Sequence, residues 1–163
     1  MGGQIPLSGP DFALSIPELP EGGALQGHFK GQPLVAVRRG GAYFALAAAC
    51  THWGENLADG AVIGETIRCG AHHACFSLRT GEATCPPALA PVQTYQVEQR
   101  GSARVVTGPS APAPARRFEG GPKSVVIIGG GAAGSAAADQ LRREVGLANR
   151  RRQPPRRRLR LRG

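Results

Sequence analysis

Short β-prone runs separated by glycine turns fill the first two thirds of the chain. Within several of these runs apolar and polar residues alternate, which is typical of strands buried on one side. The clearest turn is Arg39-Gly40-Gly41, between two such runs. The predicted strands are Leu34–Arg38, Ala42–Ala47, the two arms of a hairpin over Ala61–Arg68, Thr94–Glu98 and Ala103–Val106, with a first edge strand inside residues 13–25.

The pattern before residue 107 contains no long amphipathic helix. We therefore predict an all-β domain over residues 1–107. One predicted hairpin leads directly into Cys50 and the next leads into Cys69. Both cysteines should consequently lie on loops at one tip of the domain.

Each of these cysteines is followed closely by a histidine, in Cys50-Thr51-His52 and in Cys69-Gly70-Ala71-His72. A [2Fe–2S] cluster with asymmetric ligation requires this set, because two cysteines bind one iron and two histidines bind the other. A single zinc ion could also take two cysteines and two histidines. Zinc fingers, however, usually group like ligands along the chain, whereas here the ligand types alternate. The pattern favours the iron–sulfur cluster and leaves zinc as the alternative.

The residues around these ligands carry a family resemblance. CTHWGENLADG (50–60) and CGAHHACFSLRTGEA (69–83) resemble the two cluster-binding loops of Rieske ferredoxin-type domains. The second is most similar to domains fused in front of apoptosis-inducing-factor-like flavin reductases. Gly70 and Ala71 replace the proline and the aromatic residue usual in that loop, which predicts a less rigid and less shielded loop. The resemblance implies a Rieske-type antiparallel β-sandwich and a [2Fe–2S] cluster bound by Cys50, His52, Cys69 and His72.

The ligand set predicts electron transfer. Two thiolates neutralise the diferric core, so such clusters have potentials of roughly −150 to +300 mV, against about −400 mV for four-cysteine plant-type ferredoxins. High-potential members of the family add a disulfide between the two loops, and Glu55 and Ala71 occupy those positions here. The sequence therefore predicts a low-potential, ferredoxin-like electron carrier.

The remaining cysteines and the neighbouring histidine have simpler interpretations. Cys75 is expected to be a small buried side chain, and Cys85 precedes Pro86-Pro87, the expected third loop over the cluster. A disulfide between them is disfavoured in a reducing compartment. His73 is expected near the cluster or in solvent, because adjacent loop residues rarely reach one metal.

The net charge of +9 comes from the end of the chain. Ten of the twenty basic side chains and one carboxylate follow residue 141, so residues 1–141 carry ten basic and ten acidic groups. The arginine-rich segment 146–163 is expected to be disordered. It has no aromatic residue for stacking on bases, so no specific nucleic-acid partner is predicted.

Residues 108–122 form a linker rich in proline, alanine and glycine. The segment beyond it resembles the start of the flavin domain in the same reductase family. It combines a predicted strand over residues 124–128, a Gly-x-Gly-x-x-Gly loop and a predicted helix Ala132–Arg143. We interpret residues 123–145 as a truncated start of an FAD/NAD(P)-binding domain. Its vestigial pyrophosphate loop would comprise Gly129, Gly131 and Gly134.

The second strand and terminal acidic residue of that fold do not follow. We expect a truncated reductase with a frameshifted tail, acting as an electron-transfer module rather than an enzyme. FAD is expected only in full-length relatives, and an intact NAD(P)H-dependent flavin reductase is the enzymatic alternative. The expected partner is a redox protein or a flavin domain. No apolar run reaches the roughly 18 residues of a membrane span, so a soluble, cytoplasmic protein is expected.

Overall fold

The computed structural model describes residues 5–111 and 124–145, with side chains as far as residue 142. The chain divides into two compact units, Met1–Pro114 and Ala115–Gly163. The boundary falls inside the linker predicted over residues 108–122. Most of that linker and the arginine-rich segment 146–163 lie outside the described residues.

The regular elements described in the first unit are strands apart from one 3₁₀ turn, as predicted. The elements are β1 (Ala24–Phe29), β2 (Gln32–Arg39), β3 (Ala42–Ala47), a 3₁₀ turn (Leu57–Asp59), β4 (Ala61–Ile63), β5 (Thr66–Arg68), β6 (Cys75–Ser77), β7 (Ala83–Cys85), β8 (Thr94–Arg100) and β9 (Ala103–Pro109). They form a five-stranded sheet of order β1-β2-β3-β8-β9 and a four-stranded sheet of order β4-β5-β6-β7. Neighbouring strands in both sheets are antiparallel.

The turn between β2 and β3 follows from its glycines. Gly40 and Gly41 have φ angles of 60° and 74°, the left-handed values that a two-residue type I′ hairpin requires. This hairpin and the two later ones are confirmed, although β9 extends to Pro109, two residues into the predicted linker.

The expected edge strand within residues 13–25 is wrong in position. The first strand begins only at Ala24, and Ile16 makes a single isolated bridge to Arg104. Pro17 and Pro20 explain the difference, since a proline has no N–H to donate to a neighbouring strand.

The centre of the larger sheet, at β2 and β3, is buried on both faces. On one face Val35, Val37 and Leu46 pack with Ile67 and Phe76 of the smaller sheet. On the other face Leu34, Ala36 and Ala45 pack beneath the amino-terminal segment that carries Phe12, Ile16 and Leu19. We call the first of these the loop-side core, because Cys50 and Cys69 belong to it.

In the second unit, the predicted helix is present as α1 (Ala132–Val145), two residues longer than expected. The strand predicted over residues 124–128 is wrong: residues 124–130 have no regular structure. A strand needs a neighbour to accept its hydrogen bonds, and the described part of this unit supplies none. No helix among the described residues has the length and apolar character needed to cross a bilayer.

Candidate metal centre

Two loops of the same construction carry the four expected ligands. The first ligand loop spans residues 50–56 and the second spans residues 69–75. In each, the cysteine N–H donates to the carbonyl five residues later, and the cysteine carbonyl accepts from the N–H four residues later. The bonds are Cys50 N to Glu55 O (2.8 Å), Gly54 N to Cys50 O (2.7 Å), Cys69 N to Ala74 O (2.8 Å) and His73 N to Cys69 O (3.1 Å).

The loops also share their turn and their closing pair. The fourth residue after each cysteine has a positive, left-handed φ angle, 85° at Gly54 and 66° at His73. Ala49 bridges Asn56 below the first loop, and Arg68 pairs with Cys75 below the second. The two cysteine–histidine segments are therefore held on equivalent frames, although their spacings differ by one residue.

The two ligand-loop cysteines lie together inside the domain. Cys50 is 3% exposed and Cys69 is 1% exposed, within the loop-side core. Burial raises the pKa of the Cys50 thiol and the adjacent Cys69 thiol adds to that rise, whereas hydrogen bonds from the backbone N–H groups of His52 and Trp53 lower it. Bound metal would deprotonate both thiols, because a coordinating sulfur is a thiolate.

The two histidines also lie together, nearer the surface. The ring centroids of His52 and His72 are 4.9 Å apart, with the ring planes at 81°. His52 is half-buried and His72 is exposed. The structure thus brings thiol to thiol and imidazole to imidazole, which is the division that two irons with different ligands require.

One polar atom at this site lacks a partner. Nδ1 of His52 is buried and makes no hydrogen bond. A buried nitrogen without a partner costs about 1–3 kcal/mol, so it normally finds one. The nitrogen is therefore available as a metal ligand, and the donor set fits a [2Fe–2S] cluster. Among residues 5–111 and 124–145, no three His, Cys, Asp or Glu side chains form a group suited to a single metal ion.

Trp53 covers the histidines from the first loop. Its ring stacks on His72 at 6.2 Å and 28°, and meets His52 edge to face at 6.0 Å and 72°. The indole is 55% exposed. An aromatic residue is missing at Ala71, and Trp53 contacts the second-loop histidine from across the site. The second loop was predicted to be less shielded from water, and the Trp53 ring of the first loop supplies a cover for His72 that this prediction did not include.

A third segment, after β7, packs beside the first ligand loop, and the expected position of Pro86-Pro87 over the cluster stays a prediction. Thr51 Oγ1 donates to the carbonyl of Ala90 at 2.6 Å. Ala88 lies in the loop-side core with the ligand cysteines. Leu89 between them is 48% exposed. The segment therefore joins the first ligand loop and places one apolar side chain at the surface.

Asn56 is a positioning residue that the sequence interpretation missed. Its Oδ1 accepts from Ala58 N at 3.1 Å and caps the 3₁₀ turn, while its Nδ2 donates to Gln26 Oε1 at 2.6 Å. The signal for the cap was present, since asparagine is favoured before the first residue of a helical turn. Its contact with Gln26 on β1 had no such signal, because the two residues are far apart in the sequence.

The glycine loop of the second unit lies immediately before α1. Gly129 has φ of 110°, and Ser135 N donates to Gly131 O at 3.0 Å. A Cβ at Gly134 would overlap the carbonyl oxygen of Gly129, so glycine is needed where the helix approaches the loop. These contacts agree with a glycine-rich turn before the helix. That the turn is a pyrophosphate loop stays a prediction.

Comparison with known proteins identifies a family. A family model described as the Rieske [2Fe–2S] domain matches residues 12–96, slightly more than half of the chain. The ferredoxin subunit of 3-phenylpropionate/cinnamic acid dioxygenase from Shigella boydii serotype 4 is 33% identical over 102 residues, covering 61% of this chain and 94% of the relative. Its counterpart from Escherichia coli strain K12 is 32% identical with the same coverage.

Two similar solved structures are ferredoxins. The ferredoxin of carbazole 1,9a-dioxygenase from Nocardioides aromaticivorans has a TM-score of 0.56 and 28% identity, covering 62% of this chain and 99% of the other. The ferredoxin of Sphingomonas yanoikuyae B1 has a TM-score of 0.53 and 26% identity, covering 56% and 90%. These relatives are named as ferredoxins or as ferredoxin subunits of dioxygenases, whereas the loop resemblance pointed to domains fused to flavin reductases.

Proposed function

Since the chain belongs to the Rieske [2Fe–2S] domain family, whose cofactor is a [2Fe–2S] cluster, we propose that it carries single electrons between redox proteins. The pairing of like ligands at the loop tip is the observation that carries this proposal. Cys50 and Cys69 would hold the inner iron, and His52 and His72 would hold the outer iron. When bound, the cluster supplies reversible one-electron chemistry at a potential tuned by hydrogen bonds and burial.

The protein groups around the cluster have distinct tasks. Burial of Cys50 and Cys69 in the loop-side core keeps water away from the sulfurs. Backbone N–H groups of His52 and Trp53 directed at Cys50 stabilise negative charge on its sulfur and tune the potential. The exposed edge of His72 gives the electron its shortest route to a partner.

The partner is proposed to be an oxygenase component or a comparable acceptor protein. Relatives are named as ferredoxin subunits of dioxygenases, and one similar solved structure is a complex of oxygenase and ferredoxin, with 25% identity and a TM-score of 0.53. Trp53 and Leu89 supply exposed apolar surface on the ligand loop and the third segment. A partner that buries these side chains would bring its own redox centre close to the cluster.

Spectroscopy of the purified protein tests the cluster. We expect red-brown protein with about two irons and two acid-labile sulfides per chain, and, after dithionite reduction, an EPR signal with the low average g value of histidine-ligated clusters. One zinc per chain without iron or sulfide would instead support the Cys₂His₂ zinc alternative.

Matched cysteine substitutions test the ligands. Cys69→Ser should abolish cluster binding, because it removes a thiolate from the inner iron. Cys75→Ser changes another buried cysteine six residues further along and should leave the iron content unchanged. Equal loss in both variants would contradict the proposed ligand set.

A second proposal, favoured by the glycine loop before α1, is that this module functions within a flavin-dependent NAD(P)H oxidoreductase. The positive φ of Gly129 and the lack of room for a Cβ at Gly134 support this proposal, because a dinucleotide-binding start needs one glycine for its tight turn and another for close packing of the helix. We expect the chain itself to bind no FAD, because one helix and its preceding loop do not complete a doubly wound site. Flavin absorbance retained after gel filtration would instead favour the intact-reductase alternative.

A further inference from the structure

Cys75 and Cys85 lie directly opposite each other on neighbouring antiparallel strands. Cys75 opens β6, Cys85 ends β7, and the two are register partners. Residues paired in this way have Cα atoms about 4.5–5.5 Å apart, and a disulfide needs a Cα separation of about 4.4–6.8 Å. The register shifts between Cys75 and Phe76, which leaves Thr84 as an extra residue in β7, and the Cys85 thiol lies beside the Cys75 thiol on the same face of the sheet. The pairing therefore meets the geometric requirement for a bond between their sulfurs.

This pair is separate from the cluster ligands. Phe76 points into the loop-side core, so its neighbour Cys75 points to the other face, where Arg68 of β5 is its second cross-strand partner. Both thiols are free in this structure. The row Arg68, Cys75 and Cys85 thus crosses three strands on the outer face of the smaller sheet.

The two sulfurs differ in access. Cys75 is 9% exposed, and Cys85 is half-buried. Burial raises the pKa of the Cys75 thiol and the adjacent Cys85 thiol adds to that rise, whereas the Arg68 guanidinium lowers it. Cys85 is therefore the sulfur that a dissolved reagent reaches first, and Cys75 is placed to react second.

We propose that Cys75 and Cys85 are a reversible thiol–disulfide modification site, oxidised by low-molecular-weight disulfides. The Cys85 thiolate attacks the reagent disulfide and releases one thiol, forming a mixed disulfide. Cys75 then loses its proton and displaces the second thiol as the protein S–S bond forms. Two protons and two electrons pass from the cysteine pair to the reagent, which leaves as two thiols.

The position of the pair gives the bond a structural effect. Cys75 closes the second ligand loop, and Cys85 immediately precedes the third segment, which packs beside the first ligand loop. A bond between them would tie the base of the second ligand loop to the start of that segment. The pair remains reduced in the reducing compartment expected from the sequence and is oxidised when that compartment becomes more oxidising.

The test treats cluster-loaded protein with oxidised glutathione while the visible cluster band is followed. Free thiols are then alkylated and the protein is digested with trypsin. Cleavage after Arg68, Arg79 and Arg100 places Cys75 in peptide 69–79 and Cys85 in peptide 80–100. We expect these peptides to be joined in most molecules, with the cluster band retained and with separation after dithiothreitol.

Fragment ions distinguish Cys75 from Cys69, which shares its peptide. Cys85→Ser, a change at a half-buried position, should eliminate the linked peptide and keep the cluster. Alkylated Cys75 and Cys85 after treatment, glutathione on Cys85 beside a free Cys75 thiol, or linkage through Cys69 would each overturn the proposal.

Discussion

The side chains proposed as sulfur and nitrogen ligands occupy different environments at the tip of this domain. Cys50 and Cys69 are almost completely buried, whereas His72 is exposed and His52 is half-buried. A cluster held in this way has a protected side and an accessible side. We therefore expect electrons to leave through the accessible side, where the histidines lie, and not through the side of the buried cysteines.

His72→Cys should lower the midpoint potential. The substitution adds a thiolate and so a negative charge, which moves the site toward the roughly −400 mV of four-cysteine clusters. Potentiometric titration followed by visible absorption measures the shift. His73→Asn is the control, because asparagine tolerates the left-handed conformation at position 73, and its potential should match that of the unmodified chain. An unchanged potential in a cluster-loaded His72→Cys protein would argue against His72 as a ligand.

Trp53→Ala should shorten the lifetime of the cluster in air. The indole stacks on His72, and such aromatic contacts are worth about 0.5–1.5 kcal/mol, or roughly a 2- to 10-fold change in rate. Decay of the visible band gives the rate. Trp53→Phe keeps a ring at the position and should decay nearly as slowly as the unmodified chain. If the cluster band of the alanine variant decayed at the rate of the unmodified chain, stacking of Trp53 on His72 would not protect the cluster.

At the scale of elements, the segment after the first ligand loop approaches the segment before the second at a glycine. Gly60 ends the 3₁₀ turn and leads into β4, and a Cβ there would overlap the carbonyl oxygen of Arg68, directly before Cys69. Its φ of −93° is ordinary, so the requirement for glycine is one of space. Gly60, the last residue of the motif at 50–60, is thus explained by its close packing against the backbone that leads into the second ligand loop.

Gly60→Ala should reduce both stability and iron content. Overpacking of this kind typically costs about 1–3 kcal/mol, and here the displaced backbone carries a ligand. Gly64→Ala is the matched control on the same hairpin. Gly64 has φ of 57° but open space around its Cβ position, so alanine should cost about 1–2 kcal/mol and leave iron content unchanged. Thermal unfolding and iron analysis of both variants make the comparison; full iron content in Gly60→Ala would refute the role of close packing.

For the whole molecule, the first unit contains its own cores. The buried residues of both described cores come from residues 12–106, and the family match spans residues 12–96. The cluster-binding function should therefore belong to the first unit alone.

A chain ending at Pro114 should keep the cluster. We expect its visible spectrum, EPR signal and midpoint potential to match those of the full chain, because the ligands and both cores are retained. The full chain, purified in parallel, is the control. Failure of the shortened chain to bind iron would show that residues after 114 contribute to the fold.

Much of this protein is encoded locally. The hairpins follow from alternating residues and glycine turns, as at Gly40-Gly41, and the ligand set follows from the short spacings after Cys50 and Cys69. Such features depend on residues close together in the sequence, so their chemistry can be worked out without coordinates. The misplaced edge strand and the absent strand at 124–128 show the limit, since a strand exists only where a partner accepts its hydrogen bonds.

Tertiary structure decided the relations between distant residues. It paired Cys50 with Cys69 and His52 with His72, laid Trp53 on His72, and set Cys75 opposite Cys85. The physical reason is that sheet register and the packing of two loops bring together side chains that no local spacing relates. The sequence by itself determined which atoms could bind metal, and the fold decided which of them meet.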